Sequence, residues 1–387
     1  MRLAATLLAI GVLSACSSSG SVSSASPSPS PSGSPIVTAG PDCAGVTTAR
    51  ALALYAYNPV LDVLDVSNPV QPKLLCFIPN ASGGRFLSAS TVALWNASTA
   101  EVMDITTSKV LRFQKLSAPP YEGAFTADAA LFAYRVATSD GTETMHLLDM
   151  TSGRDRLLYT QAPMGGHGGG PGGPTHQLRF SPDGKELLDF DIFRPQSGPA
   201  SLQIFRLDGS ILFQAYNGTA GIWAPTGATL YLVTHGVNMA EELDSIGPDG
   251  TLSVVMRGLS GVNWPVLSPD GKALVFDTYD ATAPGEATGG LPHLWQLDIA
   301  PAHAVNIGGA VSSQPVFVGA DVVWSNQEKS CQCGPGGASQ VDGVVLAHDL
   351  RTSTDVMVNM DPVVPGIGGP TVMPSTGYVI DVLFSTL

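Results

Sequence analysis

The chain has 387 residues, with 18 Lys and Arg against 32 Asp and Glu, so its formal net charge is −14. This acidity argues against a nucleic-acid partner, because phosphate binding needs clustered Lys and Arg. Charged residues are only 13% of the chain, whereas Gly (43) and Pro (30) are abundant. That composition favours short strands joined by turns over surface helices, which need charged side chains on their wet face.

The N-terminus has the pattern of an export signal. Met1-Arg2 is a short positive segment, and residues 3–13 are uncharged but too few for a bilayer-spanning helix, which needs ~20. The following Leu13-Ser14-Ala15-Cys16 resembles the lipobox of bacterial lipoproteins. This resemblance implies that residues 1–15 are a signal peptide, that Cys16 carries acyl chains such as palmitate, and that the chain is held on the extracytoplasmic side of a cell membrane, in the periplasm or at the cell surface. An ordinary signal peptide that happens to contain a Cys is the alternative.

Residues 16–36 follow as a tether. After the Cys they are almost entirely Ser, Pro and Gly, without charge or apolar periodicity. Such a segment buries too little apolar surface to offset its ordering entropy, and Ser-Pro alternation favours an extended chain. We therefore place the folded domain at residues 37–387.

The folded domain carries an internal repeat. Ser181-Pro182-Asp183-Gly184-Lys185 recurs as Ser268-Pro269-Asp270-Gly271-Lys272, and a degenerate copy, Ala224-Pro225-Thr226-Gly227, lies between them. Pro, Asp and Gly in this order form a turn between strands. The prolines are spaced by 43 and 44 residues, which is the period of four-stranded propeller blades. An all-β propeller is the predicted fold.

A second marker counts the blades. An Asp recurs where an alternating strand ends, and Asx-turn chemistry accounts for it there. The seven instances are Asp65, Asp104, Asp149, Asp208, Asp249, Asp298 and Asp349. We predict seven blades, with eight as the alternative. The first blade lacks an innermost strand, and residues 370–384 have first- and second-strand patterns without a third, so we expect the C-terminal segment to complete that blade and close the ring.

The SPDGK segments resemble the repeats of TolB-like propellers, and Val63–Lys73 (VLDVSNPVQPK) resembles the LVIVD repeat of bacterial surface propellers. These resemblances imply a fold only, because the motifs are turns and carry no functional residue over.

Four cysteines remain after Cys16, namely Cys43, Cys76, Cys331 and Cys333. An even count in an exported chain predicts structural disulfides, and three pairings are open. All four map to blades one and seven, so we expect them near the seam where the ring closes. A soft metal on Cys331-Gln332-Cys333 is the alternative.

Long connections are the best pointer to a binding surface. They cover residues 162–174, 235–242, 281–292 and 327–341, and in a propeller they share one face. His167, His176, His235 and His293 come from or flank them. These histidines are candidate binding residues, with solvated loop histidines as the alternative.

No catalytic motif is evident. The chain contains no Gly-x-Ser-x-Gly, HExxH or Walker sequence, so no catalytic residue, metal or cofactor is predicted. The sequence favours a lipid-anchored binding or scaffold module for a protein or extracellular ligand. The alternatives are a divergent propeller enzyme, such as a hydrolase or lyase of extracellular glycans or peptides, and a metal-handling lipoprotein.

Overall fold

The computed structural model describes residues 43–57, 60–140, 142–161, 176–191, 202–215, 218–227, 229–235, 241–247, 250–259, 262–279, 292–307, 312–327, 344–358 and 378–384. The signal segment, Cys16 and the Ser/Pro segment lie outside these residues, so the boundaries proposed at residues 15 and 36 stay predictions. Among the described residues, no helix is long and apolar enough to cross a membrane.

A short 3-10 helix, Cys43–Thr48, precedes a series of strands. In chain order the strands are β1 Ala51–Tyr57, β2 Val60–Asp65, β3 Lys73–Pro79, β4 Gly83–Phe86, β5 Thr91–Trp95, β6 Thr99–Asp104, β7 Lys109–Lys115, β8 Glu122–Phe125, β9 Leu131–Ala137, β10 Glu143–Asp149, β11 Asp155–Gln161, β12 His176–Phe180, β13 Glu186–Asp191, β14 Leu202–Arg206, β15 Ile211–Ala215, β16 Gly218–Trp223, β17 Leu230–His235, β18 Glu241–Ile246, β19 Leu252–Leu259, β20 Val262–Leu267, β21 Ala273–Tyr279, β22 Pro292–Ile299, β23 Ala302–Asn306, β24 Ser312–Phe317, β25 Val322–Gln327, β26 Val344–Asp349, β27 Thr354–Met357 and β28 Tyr378–Phe384.

The strands form seven antiparallel sheets of four strands each, which confirms the seven-bladed propeller. Blades two to seven each take four consecutive strands, from β4–β7 through to β24–β27. Blade one has the order β28-β1-β2-β3.

The two faces of the ring differ in the connections they carry. First-to-second and third-to-fourth strand turns lie on one face, which we call the turn face. Second-to-third connections and the links between blades lie on the other, which we call the loop face. The strands that flank the predicted long connections, such as β11 with β12 and β25 with β26, end at the loop face.

The repeated motifs form the turns that the sequence predicts. Gly184 and Gly271 have φ of 71° and 74°, the left-handed region that glycine adopts at low cost. The Ser181 hydroxyl donates to Asp183 at 2.8 Å, and the Ser268 hydroxyl donates to Asp270 at 2.7 Å. The motif is therefore a turn device, as its chemistry indicates.

Five of the recurring Asp side chains act in the same local way at the third-to-fourth strand turns, whereas Asp298 accepts a hydrogen bond from the Gln296 side-chain amide at 3.0 Å. Asp65, Asp104 and Asp349 each accept a hydrogen bond at 2.9 Å from the backbone N–H two residues later. The corresponding contacts of Asp149 and Asp208 are 2.8 Å long. Asp249 lies outside the described residues.

The C-terminal strand closes the ring. β28 pairs antiparallel with β1, with Ala51 opposite Phe384 and Ala53 opposite Val382. It fills the innermost position of blade one, as predicted. The structure describes one strand in this segment. Residues 370–377, where the sequence predicts a further strand, lie outside the described part.

Apolar side chains fill the seams between neighbouring blades. Leu54 and Val63 of blade one pack with Val92 and Leu94 of blade two, and each of these four is 0% exposed. Alternation along the strands produces this arrangement, because successive side chains point to opposite faces of a blade and so to opposite neighbours. The ring therefore consists of sheets joined by apolar layers.

A disulfide joins Cys43 to Cys76 and ties the 3-10 helix to the outer strand of blade one. Both sulfurs belong to the apolar layer between blades one and two. The expected placement at the seam of blades one and seven is wrong for this pair, because Cys76 lies opposite Val63, whose face of the sheet meets blade two. Cys331 and Cys333 lie outside the described residues.

Candidate functional site

The seam between blades seven and one is built around a buried tryptophan. Trp324 on β25 is 1% exposed and packs with Tyr55 and Leu64 of blade one. Its indole Nε1 donates a hydrogen bond to the Pro69 carbonyl at 2.8 Å. This contact joins residues 255 positions apart in sequence, and it fixes the Pro69 turn beside blade seven.

A cavity of about 480 Å³ opens on the turn face of this seam. Its buried lining includes Val66, Val318 and Ala347, each at most 2% exposed. Half-buried Val322 and Phe384 extend the apolar lining. Phe384 is the last residue of β28, so the strand that closes the ring also contributes to the wall of the cavity.

Four charged residues line the same cavity: Arg50, Asp321, Asp349 and Arg351. The Arg351 Nε lies 3.4 Å from an Asp321 carboxylate oxygen and 3.8 Å from an Asp349 oxygen. The Asp349 carboxylate accepts the backbone N–H groups of Arg351 and Thr352, and these hydrogen bonds lower its pKa. An apolar interior with a few polar groups at its edge is the usual construction of a ligand site.

A second polar cluster lies toward the loop face, between blades three and four. Arg135 is 1% exposed and contacts Glu143 at 2.7 Å and Asp189 of the neighbouring blade. The Tyr121 hydroxyl donates to Glu143 at 2.9 Å, and burial raises the pKa of Tyr121. Because the guanidinium is buried and shared by two carboxylates, this cluster joins two blades and leaves no cation for a ligand.

Blade seven contains a Ser–His–Asp arrangement that has no sequence motif. The Ser325 hydroxyl lies 2.7 Å from His348 Nε2, and His348 Nδ1 contacts Asp355. Burial lowers the pKa of His348, and Asp355 opposes that effect. Ser325 is 1% and His348 2% exposed, so a substrate has no access to the hydroxyl. The arrangement is a polar ladder across β25, β26 and β27.

Three of the four candidate binding histidines lie at strand ends. His176 begins β12, His235 ends β17, and His293 is half-buried near the start of β22. These strand ends belong to blades four, five and six and share the loop face. His167 lies outside the described residues, as do Cys16 and most of the predicted long connections. Among the described residues, no group of His, Cys, Asp and Glu has the arrangement of a metal site.

Sequence reasoning did not find the seam cavity. Arg50 and Arg351 stand at opposite ends of the folded domain, and the repeated turn that contains Arg351 is marked by Asp349 rather than by an arginine. Ring closure brings them together. The predicted joining of blades one and seven was the only signal that pointed to this place.

Comparison with known proteins supports the fold alone. No protein-family model matches the chain. No curated protein matches it either. Among solved structures, an oligogalacturonate lyase in complex with manganese is similar with a TM-score of 0.52 and 11% identity, over 76% of this chain and 93% of the lyase.

TolB propellers are also among the similar structures. TolB from Acinetobacter baumannii has a TM-score of 0.42 and 13% identity, over 68% of this chain and 65% of that protein. A putative TolB from Agrobacterium tumefaciens has a TM-score of 0.42 and 15% identity, over 68% of this chain and 89% of that one. TolB propellers are thus among the structures to which this chain is similar.

Proposed function

We propose that this chain is a binding module, held through lipid on Cys16 at the extracytoplasmic side of a membrane, and that the seam cavity is its ligand site. The N-terminal sequence supports the anchor and the compartment. The cavity is the observation that carries the binding role. Its volume of about 480 Å³ falls within the range of roughly 300–1,000 Å³ that is usual for ligand sites.

Binding fits the described chemistry better than catalysis does. The cavity offers apolar side chains, two guanidinium groups and two carboxylates, but no paired nucleophile and base. In the described part of the chain, the Ser325 hydroxyl and the His348 ring of the polar ladder are buried, and the Asp355 side chain at its outer end is 35% exposed. The metal alternative rests on Cys331 and Cys333, which lie outside the described ranges, and no described contact favours that alternative or the enzyme.

Site-specific photo-crosslinking in intact cells tests the proposal. A benzophenone amino acid in place of Val70, which lines the cavity and is 36% exposed, should give a discrete adduct. The matched position is Leu157, 55% exposed on the outer strand of blade three. A third position, Asp140, is exposed on the loop face.

An adduct from Val70 alone supports the seam as the ligand site. An adduct from Asp140 alone would overturn it in favour of the loop face that the sequence analysis predicts. Equal adducts from Val70 and Leu157, or none from Val70, would contradict a specific site at the seam.

A further inference from the structure

We propose that the seam cavity is a carboxylate site, which takes a ligand with an apolar body and one carboxylate held by Arg50 and Arg351. The inference rests on the proposed function and names the ligand chemistry of the same cavity.

Arg50 is fixed at the cavity by its main chain. The Ser67 hydroxyl accepts hydrogen bonds from the backbone N–H groups of Arg50 at 2.8 Å and Ala51 at 3.3 Å. The residue is exposed. Within the described part of the chain, its guanidinium has no carboxylate within ion-pair distance. The Arg50 guanidinium is thus a charged donor beside the apolar interior of the cavity, and its N–H groups are available to a ligand.

The Arg351 guanidinium also has hydrogen-bond donors available for a ligand. Only its Nε faces carboxylates, at 3.4 Å and 3.8 Å, and its side chain is 70% exposed. Exposed ion pairs of this length contribute little to stability. No hydrogen bond to either terminal amino group is formed by the described residues, so these groups are available to a ligand.

Both aspartates face Arg351 rather than Arg50. Asp349 keeps its negative charge while its Oδ1 accepts two backbone N–H groups, and that oxygen lies 3.8 Å from the Arg351 Nε. Asp321 is 45% exposed and offsets Arg351 alone. Arg50 therefore remains as a cation without a partner among the described residues, in a chain whose net charge is −14.

A carboxylate meets these conditions. Its two oxygens match the planar donor fork of a guanidinium, and such charge-assisted hydrogen bonds are among the stronger ones in proteins. The apolar lining would take the body of the ligand. Two sources share this chemistry, a free carboxylic acid and the C-terminal carboxylate of a peptide, and the experiment separates them.

Calorimetric titration of the full chain in detergent is the test. The probes are 3-phenylpropionate, the uncharged 3-phenylpropan-1-ol, N-acetyl-Ala-Phe with a free carboxylate, the corresponding amide, and inorganic phosphate. We expect saturable binding of the two carboxylates and at least tenfold weaker binding of the alcohol and the amide. Tighter binding of the peptide acid assigns a chain terminus, and tighter binding of 3-phenylpropionate assigns a small acid.

The variant Arg50→Gln should weaken carboxylate binding at least tenfold. Arg154→Gln is the control, because Arg154 is an exposed arginine in a turn on the turn face of blade three and does not line the cavity, and it should leave binding unchanged. Both variants are compared by thermal unfolding, and Arg50→Lys provides a second variant that keeps the charge and loses the fork.

Equal binding of acid and alcohol would overturn the inference, and so would competition by phosphate at the same concentration. If no probe binds while Val70 still gives its specific adduct, the carboxylate chemistry is wrong and the binding module stands. If the adduct is also absent, both proposals fail.

Discussion

Asp381 shows how one residue links ring closure to pH. Its carboxylate lies on β28 and accepts the Phe86 N–H at 2.6 Å across the seam of blades one and two. Burial raises its pKa from 3.8 to about 6, against the attraction of Arg85. Because the folded pKa lies above the unfolded value, the protonated group favours the folded state, and this contribution falls as pH rises from about 4 to 6. The difference corresponds to roughly 3 kcal/mol.

We therefore expect Asp381→Asn to leave the free energy of unfolding nearly unchanged at pH 4 and to raise it by up to about 3 kcal/mol at pH 7.5. Asn keeps an oxygen that accepts the Phe86 N–H. Urea unfolding at several pH values measures the effect. Asp208→Asn is the control of opposite sign. Hydrogen bonds from Ser210 lower the pKa of Asp208, so the ionised Asp208 stabilises the folded state and this contribution is lost as pH falls. Equal pH dependence in wild type and Asp381→Asn would contradict the assignment.

The polar ladder of blade seven gives a second prediction for a single residue. Ser325→Ala removes the partner of His348 Nε2 and leaves a buried polar atom without its hydrogen bond. We expect a loss of about 1–3 kcal/mol in the free energy of unfolding. Specific crosslinking from Val70 should persist in this variant under conditions where it stays folded. Loss of crosslinking at unchanged stability would instead indicate a direct role for Ser325 in the site.

Among the elements, the helix tied to blade one depends on its disulfide. The Cys43–Cys76 bridge spans 33 residues, and the chain-entropy relation assigns a loop of that length about 3–4 kcal/mol. The double variant Cys43→Ala/Cys76→Ala should lose about 2–4 kcal/mol by urea unfolding. Unchanged stability, or two reactive thiols at these positions in exported protein, would show that the bridge does not form.

Strand β28 should be needed for the whole ring. A chain ending at Asp361 lacks it, which leaves the inner edge of β1 without a partner and opens the layer between blades seven and one. Such an edge favours association between chains. We expect loss of the cooperative thermal transition and association visible by sedimentation. A chain that lacks only residues 385–387 is the control, and a monomeric, cooperatively folded product of the longer truncation would refute the closure role.

The elements that the sequence predicted well are those set by local chemistry. Gly184 and the Asp183 side chain determine a turn within five residues, so such turns can be recognised in the sequence. The number of repeated turns predicts the blade count, and the strand that is missing from the first blade predicts the closing strand. The Cys43–Cys76 pairing and the cavity cannot be predicted in this way, because they depend on which adjacent blade packs against each face of a sheet. Arg50 and Arg351 acquire their common role only from packing across the seam.

At the scale of the whole molecule, the anchor predicts where the chain is found. Cys16→Ser should block cleavage after Ala15 or release the protein from membranes, because the acyl chains supply the attachment. Fractionation and mass spectrometry of the N-terminus measure both results. Ser17→Ala, next to the lipobox, should behave as wild type. Normal processing and membrane retention of Cys16→Ser would rule out the lipid anchor.

The strand order of blade one also governs the sequence of events during synthesis. Three of its strands come from residues 51–79 and the fourth from residues 378–384. A ribosome adding ~5–20 residues per second needs roughly 15 seconds to a minute for the intervening chain. Blades two to seven are each synthesised as a contiguous segment. Blade one is begun first, but it is completed only when β28, the last strand, has been synthesised. Until that strand is made, the nascent protein keeps one unpaired sheet edge at the centre of the growing ring.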